Sequence, residues 1–265
     1  MSLATYKKKR NFKETSEFLP VVEKNQGAGT FVIQRHKATS LHYDFRLEVN
    51  GVLKSWAVPK GPSLNPADKR LAMMVEDHPL SYGGFKGIIP EGNYGAGIVE
   101  IWDKGTYQPE EMDKISDKAI ERNIKNGMLK FYLKGRKLKG SFALVRIRGA
   151  DSKNWLLIKH RDKFATEEPY NSEDDTPVNS PINKFLRQQK NTKADEKKTS
   201  QNVKSNKSDS TAKKNSSKKS AAKKSAAKKS AAKKSAVKKS PSKKSTVKKS
   251  AVKKSAASSR TLKKN

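Results

Sequence analysis

Residues 41–58 read "LHYDFRLEVNGVLKSWAV", and how they are read decides the fold. A strand sends side chains i, i+2 and i+4 to one face. Leu41, Tyr43, Phe45, Leu47 and Val49 then make a core face, and His42, Asp44, Arg46 and Glu48 make the opposite one. Asn50-Gly51 between alternating segments is a hairpin signal, because both residues tolerate positive φ. Residues 52–58 therefore return as the partner strand and stop at Pro59. The polar face is not an ordinary solvent face: imidazole, carboxylate and guanidinium within reach of one another are three different chemical tools.

Working outward, "TFVIQRH" precedes this hairpin, and "RLAMMVED", "GIVEIWD", "MLKFYLKG", "GSFALVRI" and "NWLLIKH" follow it as further strands separated by turn signals. One helix is expected over roughly 112–126, where Ile115, Ala119 and Ile120 fall at helical spacing. Many short strands need their edges covered. The expected fold class is mainly β: a compact β-barrel-like single domain with one or two short helices, followed by a disordered basic tail. The boundaries read as an N-terminal arm over 1–29 that belongs to the active-site region, a barrel over 30–165, a linker over 166–186 and the tail over 187–265.

The charge supports that division. The chain has 265 residues and a formal net charge of +33, and residues 187–265 hold 28 basic and three acidic side chains, which leaves only +8 to the first 186. Every aromatic residue also lies in those first 186, so the tail cannot build a core. Its Lys-Lys doublets start at 218, 223, 228, 233, 238, 243, 248 and 253. A period of five advances a helix by about 140° net, so the lysines make no single seam and a coiled coil is disfavoured. Lysines that neutralise phosphates release counterions, giving sequence-independent, salt-dependent affinity for DNA. Lysine is also poorly suited to bidentate base reading.

There is no cysteine, which excludes a disulfide framework and a thiolate metal site. The N-terminus shows no secretory pattern, and no window approaches the roughly 18 apolar residues of a membrane span. The expected setting is cytoplasmic and nucleoid-associated, with DNA as partner and no membrane.

His36, His42 and Asp44 form a three-ligand set that suits a divalent transition metal with open positions for water and substrate. Histidines in a strand also serve structure alone. Arg46, on the same face, has a planar fork that can take two phosphate oxygens. His78, before Pro79, could donate to a phosphate or a leaving group, or simply hydrogen-bond to backbone as a turn histidine. Lys60, Lys69, Arg70, Glu76, Asp77 and Tyr82 surround these positions in the sequence. "EGNYGAG" at 91–97 lacks the Walker spacing and reads as a tight turn. No G-x-S-x-G elbow, H-E-x-x-H helix or P-loop occurs.

From "YKKKRNFKETSEF" to "WLLIKHRD", about residues 6–163, the sequence closely resembles the 3′-phosphoesterase domain of bacterial DNA ligase D. The H-x5-H-x-D-x-R string and "EDHPLSY" carry the likeness. The resemblance implies a β-barrel-like domain with its site in a surface cleft. It also implies manganese-dependent removal of 3′-phosphates and 3′-terminal ribonucleotides, leaving 3′-OH ends for non-homologous end joining. By motif position it makes His36, His42 and Asp44 metal ligands for Mn²⁺ or another divalent transition metal. Arg46 and His78 then engage the scissile phosphate, Tyr82 is needed for activity, and Lys60, Arg70 and Glu76 are supporting catalytic positions. Arg10 and Glu17 match the family's substrate-binding arm, where Asn11 replaces an Asp and a charge is lost. No K-x-D-G adenylylation motif is present, and the tail's cationic repeat resembles the C-terminal tails of histone H1-like nucleoid proteins. The expected partners are DNA 3′ ends, a separate DNA ligase and a Ku-type end-binding protein. The alternative is a catalytically inactive nucleoid protein that keeps DNA binding and takes up no manganese.

Overall fold

The computed structural model of the protein describes residues 2–23, 29–110, 112, 114–149 and 151–192. The lysine repeat, and with it most of the tail expected over 187–265, lies outside them, but residues 187–192 are helical rather than disordered. In chain order the elements are α1 (Leu3–Lys8), β1 (Thr30–Lys37), β2 (Leu41–Val49), β3 (Val52–Val58) and β4 (Lys69–Pro79). A 3-10 turn over Leu80–Gly84, β5 (Gly87–Ile89), β6 (Gly97–Pro109), α2 (Asp117–Asn126), β7 (Met128–Gly135), β8 (Lys139–Arg146) and β9 (Asn154–Lys159) follow. Residues 181–192, here α3, are helical.

All pairings are antiparallel, in the order β1-β2-β3-β4-β9-β8-β7-β6-β5, and an additional β1–β6 pairing closes eight strands into a barrel with β5 outside the closure. Closure leaves no open edge among those eight, which is how a meander of short strands protects its backbone groups. β2 and β3 have the expected bounds, and their turn has φ of 53° at Asn50 and 73° at Gly51. β4 and β6 run longer than their apolar cores suggested. α2 begins only after Ser116, and Gly127 at φ 89° ends it in the left-handed conformation glycine favours.

The barrel interior is built from Tyr43, Phe45, Leu47 and Val49 of β2 with Phe31, Trp56, Phe131, Phe142 and Trp155. A second cluster lies on the outer face of β1–β4, where Tyr6, Val32, Leu53, Tyr82, Phe85, Ile89 and Val99 pack together. The arm and the segment after β4 thus cover the polar face of β2. That covered outer face, not the barrel lumen, holds the site.

Two bulges shape it. Ile33 pairs with Asp103 but Gln34 with Ile101, so Trp102 is an extra residue and β6 bends there. Leu53 pairs with His78 but Ser55 with Val75, which puts one extra residue into β4 and brings Val75 and His78, three apart, to the same face.

Residues 166–186, read above as a linker, dock against the barrel. The Trp102 indole donates to the Ser172 carbonyl at 3.1 Å, and Ile182 is fully buried. Arg35, also fully buried, donates to Glu173 at 2.9 Å and 2.5 Å and to Glu100 at 2.8 Å, and the Tyr43 hydroxyl donates to Glu173 as well. The composition of this stretch hid the docking, because its contacts are polar. Glu173→Ala is expected to cost about 1–3 kcal/mol in urea unfolding, since it strips a partner from a buried guanidinium. Unchanged stability would show that Glu100 suffices.

Candidate metal and phosphate site

His36 on β1 faces His42 on β2, and Gln34 faces Asp44. The two imidazole centroids are 4.7 Å apart. Asp44 lies between them, with Oδ2 3.7 Å from His36 Nδ1 and Oδ1 3.6 Å from His42 Nε2. One ligand atom from each residue fits within 4.8 Å of the others, the one such cluster among the described residues.

The outer contacts fit a metal. His36 Nε2 is 2.9 Å from the Gly95 carbonyl and His42 Nδ1 is 3.0 Å from the Ser40 carbonyl. Each ring can donate its N–H to that carbonyl and turn the lone pair of its other nitrogen toward Asp44, the usual arrangement behind metal-bound histidine. Two imidazoles and a carboxylate then offer a borderline donor set with room for further ligands. Burial alone would raise the Asp44 carboxyl, but the Arg46 guanidinium outweighs it and holds Asp44 well below the usual carboxylate range. It stays ionised.

"EGNYGAG" is the loop that completes this grip. Gly95 has φ 79°, and at Gly97 (φ 143°) a Cβ would stand 2.1 Å from the Lys37 carbonyl oxygen. Only glycine lets the backbone pass so close, and the passage delivers the Gly95 carbonyl to His36. The tight-turn reading describes its shape and misses this role.

Arg46 is buried beside the cluster. Its Nε donates to Gln34 Oε1 at 2.7 Å, Nη1 to Ser55 Oγ at 2.9 Å and Nη2 to Asp44 Oδ2 at 2.9 Å. Gln34 in turn donates to the carbonyls of Tyr82 and Phe85 at 3.0 Å and 2.9 Å. It fixes Arg46 to the covering segment. Gln34 was missed above, although its spacing from His36 places it on the same face.

His78 sits between two guanidiniums, with Nδ1 2.9 Å from Arg46 Nη1 and Nε2 3.1 Å from Arg10 Nη2. Burial first, then the charges of Arg46 and Arg10, push its pKa well below the ordinary value, so the ring is neutral. A neutral imidazole has one N–H and one lone pair. It accepts from only one of the two arginines, and one guanidinium hydrogen is left for an incoming oxygen.

This has a pH consequence. The unfolded chain protonates His78 below about pH 6.5 while the folded chain does not, so the stability this neutral ring confers is intact above that pH and lost below it. The wild type should lose up to about 1.4 kcal/mol per pH unit more than His78→Gln between pH 6.5 and 5 in denaturant unfolding. Parallel slopes would contradict a neutral His78.

The arm supplies the rest. Arg10 Nε donates to Glu17 Oε1 at 2.8 Å and Nη1 to Glu76 Oε1 at 3.0 Å, and Lys9 Nζ reaches Glu76 Oε2 at 3.0 Å. Burial would raise the Glu76 carboxyl, but the bonds from Lys9 and Arg10 outweigh it and lower it. The Tyr82 hydroxyl donates to Glu17 Oε1 at 3.0 Å, and burial raises its pKa. Tyr82 therefore stays a neutral phenol, its ring 5.0 Å from the Arg46 guanidinium carbon.

One cavity of about 230 Å³ gathers these groups, lined among others by Arg10, His36, His42, Asp44, Arg46, Glu76, His78, Tyr82, Tyr94 and Gly95. Four expected site residues are not in its lining: Glu17 stands behind Arg10 and Tyr82, to which it is bonded, and Lys60, Arg70 and Asn11 lie elsewhere. Lys60 and Arg70 line a neighbouring depression with Tyr43, Tyr170 and Asn171. There Arg70 donates to Asp68 at 2.7 Å and to the Tyr170 carbonyl at 2.7 Å, because it stands a full strand away from His78 on β4. Asn11 is exposed and heads a turn, its side-chain oxygen accepting from Lys13 N at 3.2 Å. Lys9, Tyr94 and Gly95 join the site unannounced, since no periodicity marks an arm or a loop. A larger cavity, about 910 Å³, lies against β5, β6 and α3 and contains none of the metal-ligand set.

Comparison with known proteins agrees with this geometry. The multifunctional non-homologous end joining protein LigD of Pseudomonas aeruginosa is 46% identical over 164 residues, covering 60% of this chain and 19% of that protein. That of Mycolicibacterium smegmatis is 42% identical over 162 residues, 61% of this chain and 21% of the relative. The DNA repair protein LigD of Mycobacterium tuberculosis is 45% identical over 162 residues, 61% and 20%. The chain thus spans about a fifth of the length of these relatives. Residues 34–146, which hold every strand from Gln34 of β1 to the end of β8, match the family profile of the DNA ligase D 3′-phosphoesterase domain.

Proposed function

We propose that the chain is a metal-dependent phosphoesterase for DNA 3′ ends in non-homologous end joining. It would remove 3′-phosphates and 3′-terminal ribonucleotides to leave 3′-OH ends. One observation carries the reading: a His-His-Asp set converges in the same cavity as Arg46 and His78. Phosphate chemistry needs a cation and fixed donors around the phosphoryl oxygens, and this cavity offers both.

His36, His42 and Asp44 would hold the ion, for which Mn²⁺ is the proposed identity. When bound, such an ion supplies Lewis-acid polarisation of a phosphoryl oxygen and a water of lowered pKa. The chain's own residues do the rest. Arg46, set against the neutral His78, presents hydrogens where negative charge gathers, and Gln34, Ser55 and Asp44 keep it from reorienting as it does so. Arg10 and Glu17 close the cavity from the arm side and hold Tyr82 at its wall. Lys60 and Arg70, in the adjoining depression, would act on the strand leading into the site rather than on the reacting phosphate.

The test is a labelled duplex ending in 3′-phosphate or in a single 3′-ribonucleotide, incubated with and without Mn²⁺. Metal-dependent conversion of both ends to 3′-OH is expected; no conversion of either would reduce the protein to a DNA-binding polycation. A separate DNA ligase and a Ku-type end-binding protein are the partners such a role calls for.

The lysine repeat touches no reacting atom in this reading and acts through phosphate neutralisation. Deleting residues 193–265, which spares the buried Ile182 of α3, is expected to raise KM at moderate salt and leave kcat nearly intact. The difference in KM should shrink as salt rises. A large loss of kcat at saturating DNA would contradict this division of labour. Among the described residues no helix is long and apolar enough to cross a membrane.

A further inference from the structure

We propose that Tyr94 is the platform on which the base of the 3′-terminal nucleotide stacks, an inference that rests on the reading of this cavity as a 3′-end site. Of the residues lining the cavity Tyr94 alone is exposed, at 47%. Tyr6 and Tyr82, the other aromatic side chains close to His78, are buried. A tyrosine kept only to brace the loop would bury its ring, and the loop's structural contact with the metal set is already made by the main chain, through the Gly95 carbonyl on His36 at 2.9 Å. That contact does not use the Tyr94 ring.

The ring's surroundings say what it is for. Lys9 Nζ lies 4.4 Å from the ring centroid and donates to the Tyr94 hydroxyl at 3.0 Å, and the Arg10 guanidinium carbon is 5.4 Å from the same centroid. Lys9 and Arg10 both bond Glu76 as well, so the ring is tied into the network that reaches His78. In this reading a phosphate seated beside Arg46 and His78 leaves its sugar and base to exit by the exposed rim, where Tyr94 stands. Aromatic stacking accepts any base because every base has a π-face. An enzyme that must process ends of any sequence needs that tolerance, and a hydrogen-bonding base pocket would deny it.

The experiment uses the full chain with Mn²⁺ and two duplexes carrying the same 3′-phosphate, one on an ordinary terminal nucleotide and one on an abasic sugar. Tyr94→Ala is expected to raise KM on the ordinary end about 10- to 100-fold, the usual cost of losing one base–aromatic stack, and to change kcat little. Tyr94→Phe, which keeps the ring and drops the hydroxyl, should rescue KM. Removing the base should raise KM for the wild type and leave Tyr94→Ala unaffected, because ring and base act as one pair. The proposal is overturned if the two losses multiply, if Tyr94→Ala binds the ordinary end normally, or if kcat collapses at unchanged KM. Mn²⁺ binding by Tyr94→Ala checks that the loop still holds His36. A wild type inert on both duplexes sinks instead the end-healing reading beneath it.

Discussion

A chain carrying Asp44→Asn is expected to release phosphate from a 3′-phosphate duplex at least about 10²–10³-fold more slowly than the parent, and to bind Mn²⁺ far more weakly. The asparagine keeps the shape of the carboxylate and an oxygen for Arg46 Nη2, which lies 2.9 Å from Oδ2. What it removes is charge. In the parent, one ionised carboxylate stands between two imidazoles at 3.7 and 3.6 Å and neutralises a buried guanidinium. Without it the cavity carries Arg46 uncompensated, and a dication would enter a site that is already positive. His42→Ala should behave alike by removing a ligand, and with less strain, because His42 is the more exposed of the two imidazoles. Calorimetric titration with Mn²⁺ separates binding from turnover. Full activity in both variants would exclude the His-His-Asp set as the metal centre.

The fold was legible where one face of a strand meets one core. Tyr43, Phe45, Leu47 and Val49 alternate without interruption, and Asn50-Gly51 reverses the chain, so β2 and β3 follow from the sequence to the residue. β4 and β6 were harder because each contains a bulge, and a single extra residue breaks the period of two on which the reading depends. α1 is only six residues long, and its one buried side chain, Tyr6, leaves no amphipathic repeat to detect. Residues 166–186 failed for another reason. Pro, Ser, Asn and acid look like a linker by composition, yet Ser172, Glu173 and Thr176 spend their polar groups on Trp102, Arg35 and Tyr43.

The site divided along the same line. His36, His42, Asp44 and Arg46 share one face of a hairpin, so alternation alone groups them. Arg10 and Glu17 enter from an arm with no period, and only resemblance placed them. Lys60 and Arg70 show the limit of transfer by motif, since chain proximity to a strand end says nothing about which depression a long side chain fills. Gln34 shows the opposite failure, in which the pattern was available and its meaning was not. An amide two residues before His36 looks inert until the carbonyls of Tyr82 and Phe85 are found waiting for it.

Arg46→Lys separates holding the metal from stabilising the reaction, and its expected result is a kcat about 10²–10³-fold lower with Mn²⁺ affinity close to that of the parent. The substitution preserves the positive charge beside Asp44, so the carboxylate keeps a neutralising partner and the ligand set keeps its balance. It destroys the geometry. The guanidinium meets Gln34, Ser55 and Asp44 with three different nitrogens while a further hydrogen faces His78. A lysine ammonium is one point on a flexible stem and cannot replace a planar fork at all of these positions. Gln34 Oε1 and Ser55 Oγ would lose their donor in a buried setting, at about 1–3 kcal/mol for each group left unpaired. Lower thermal stability should therefore accompany the slower reaction. If the lysine variant turned over within about threefold of the parent, charge alone would be enough, and the fixed fork would have no part in catalysis. If it lost Mn²⁺ as well, Arg46 would be acting through the position of Asp44. Only a low kcat with metal affinity retained makes Arg46 a group that contacts the phosphoryl oxygens as their charge builds.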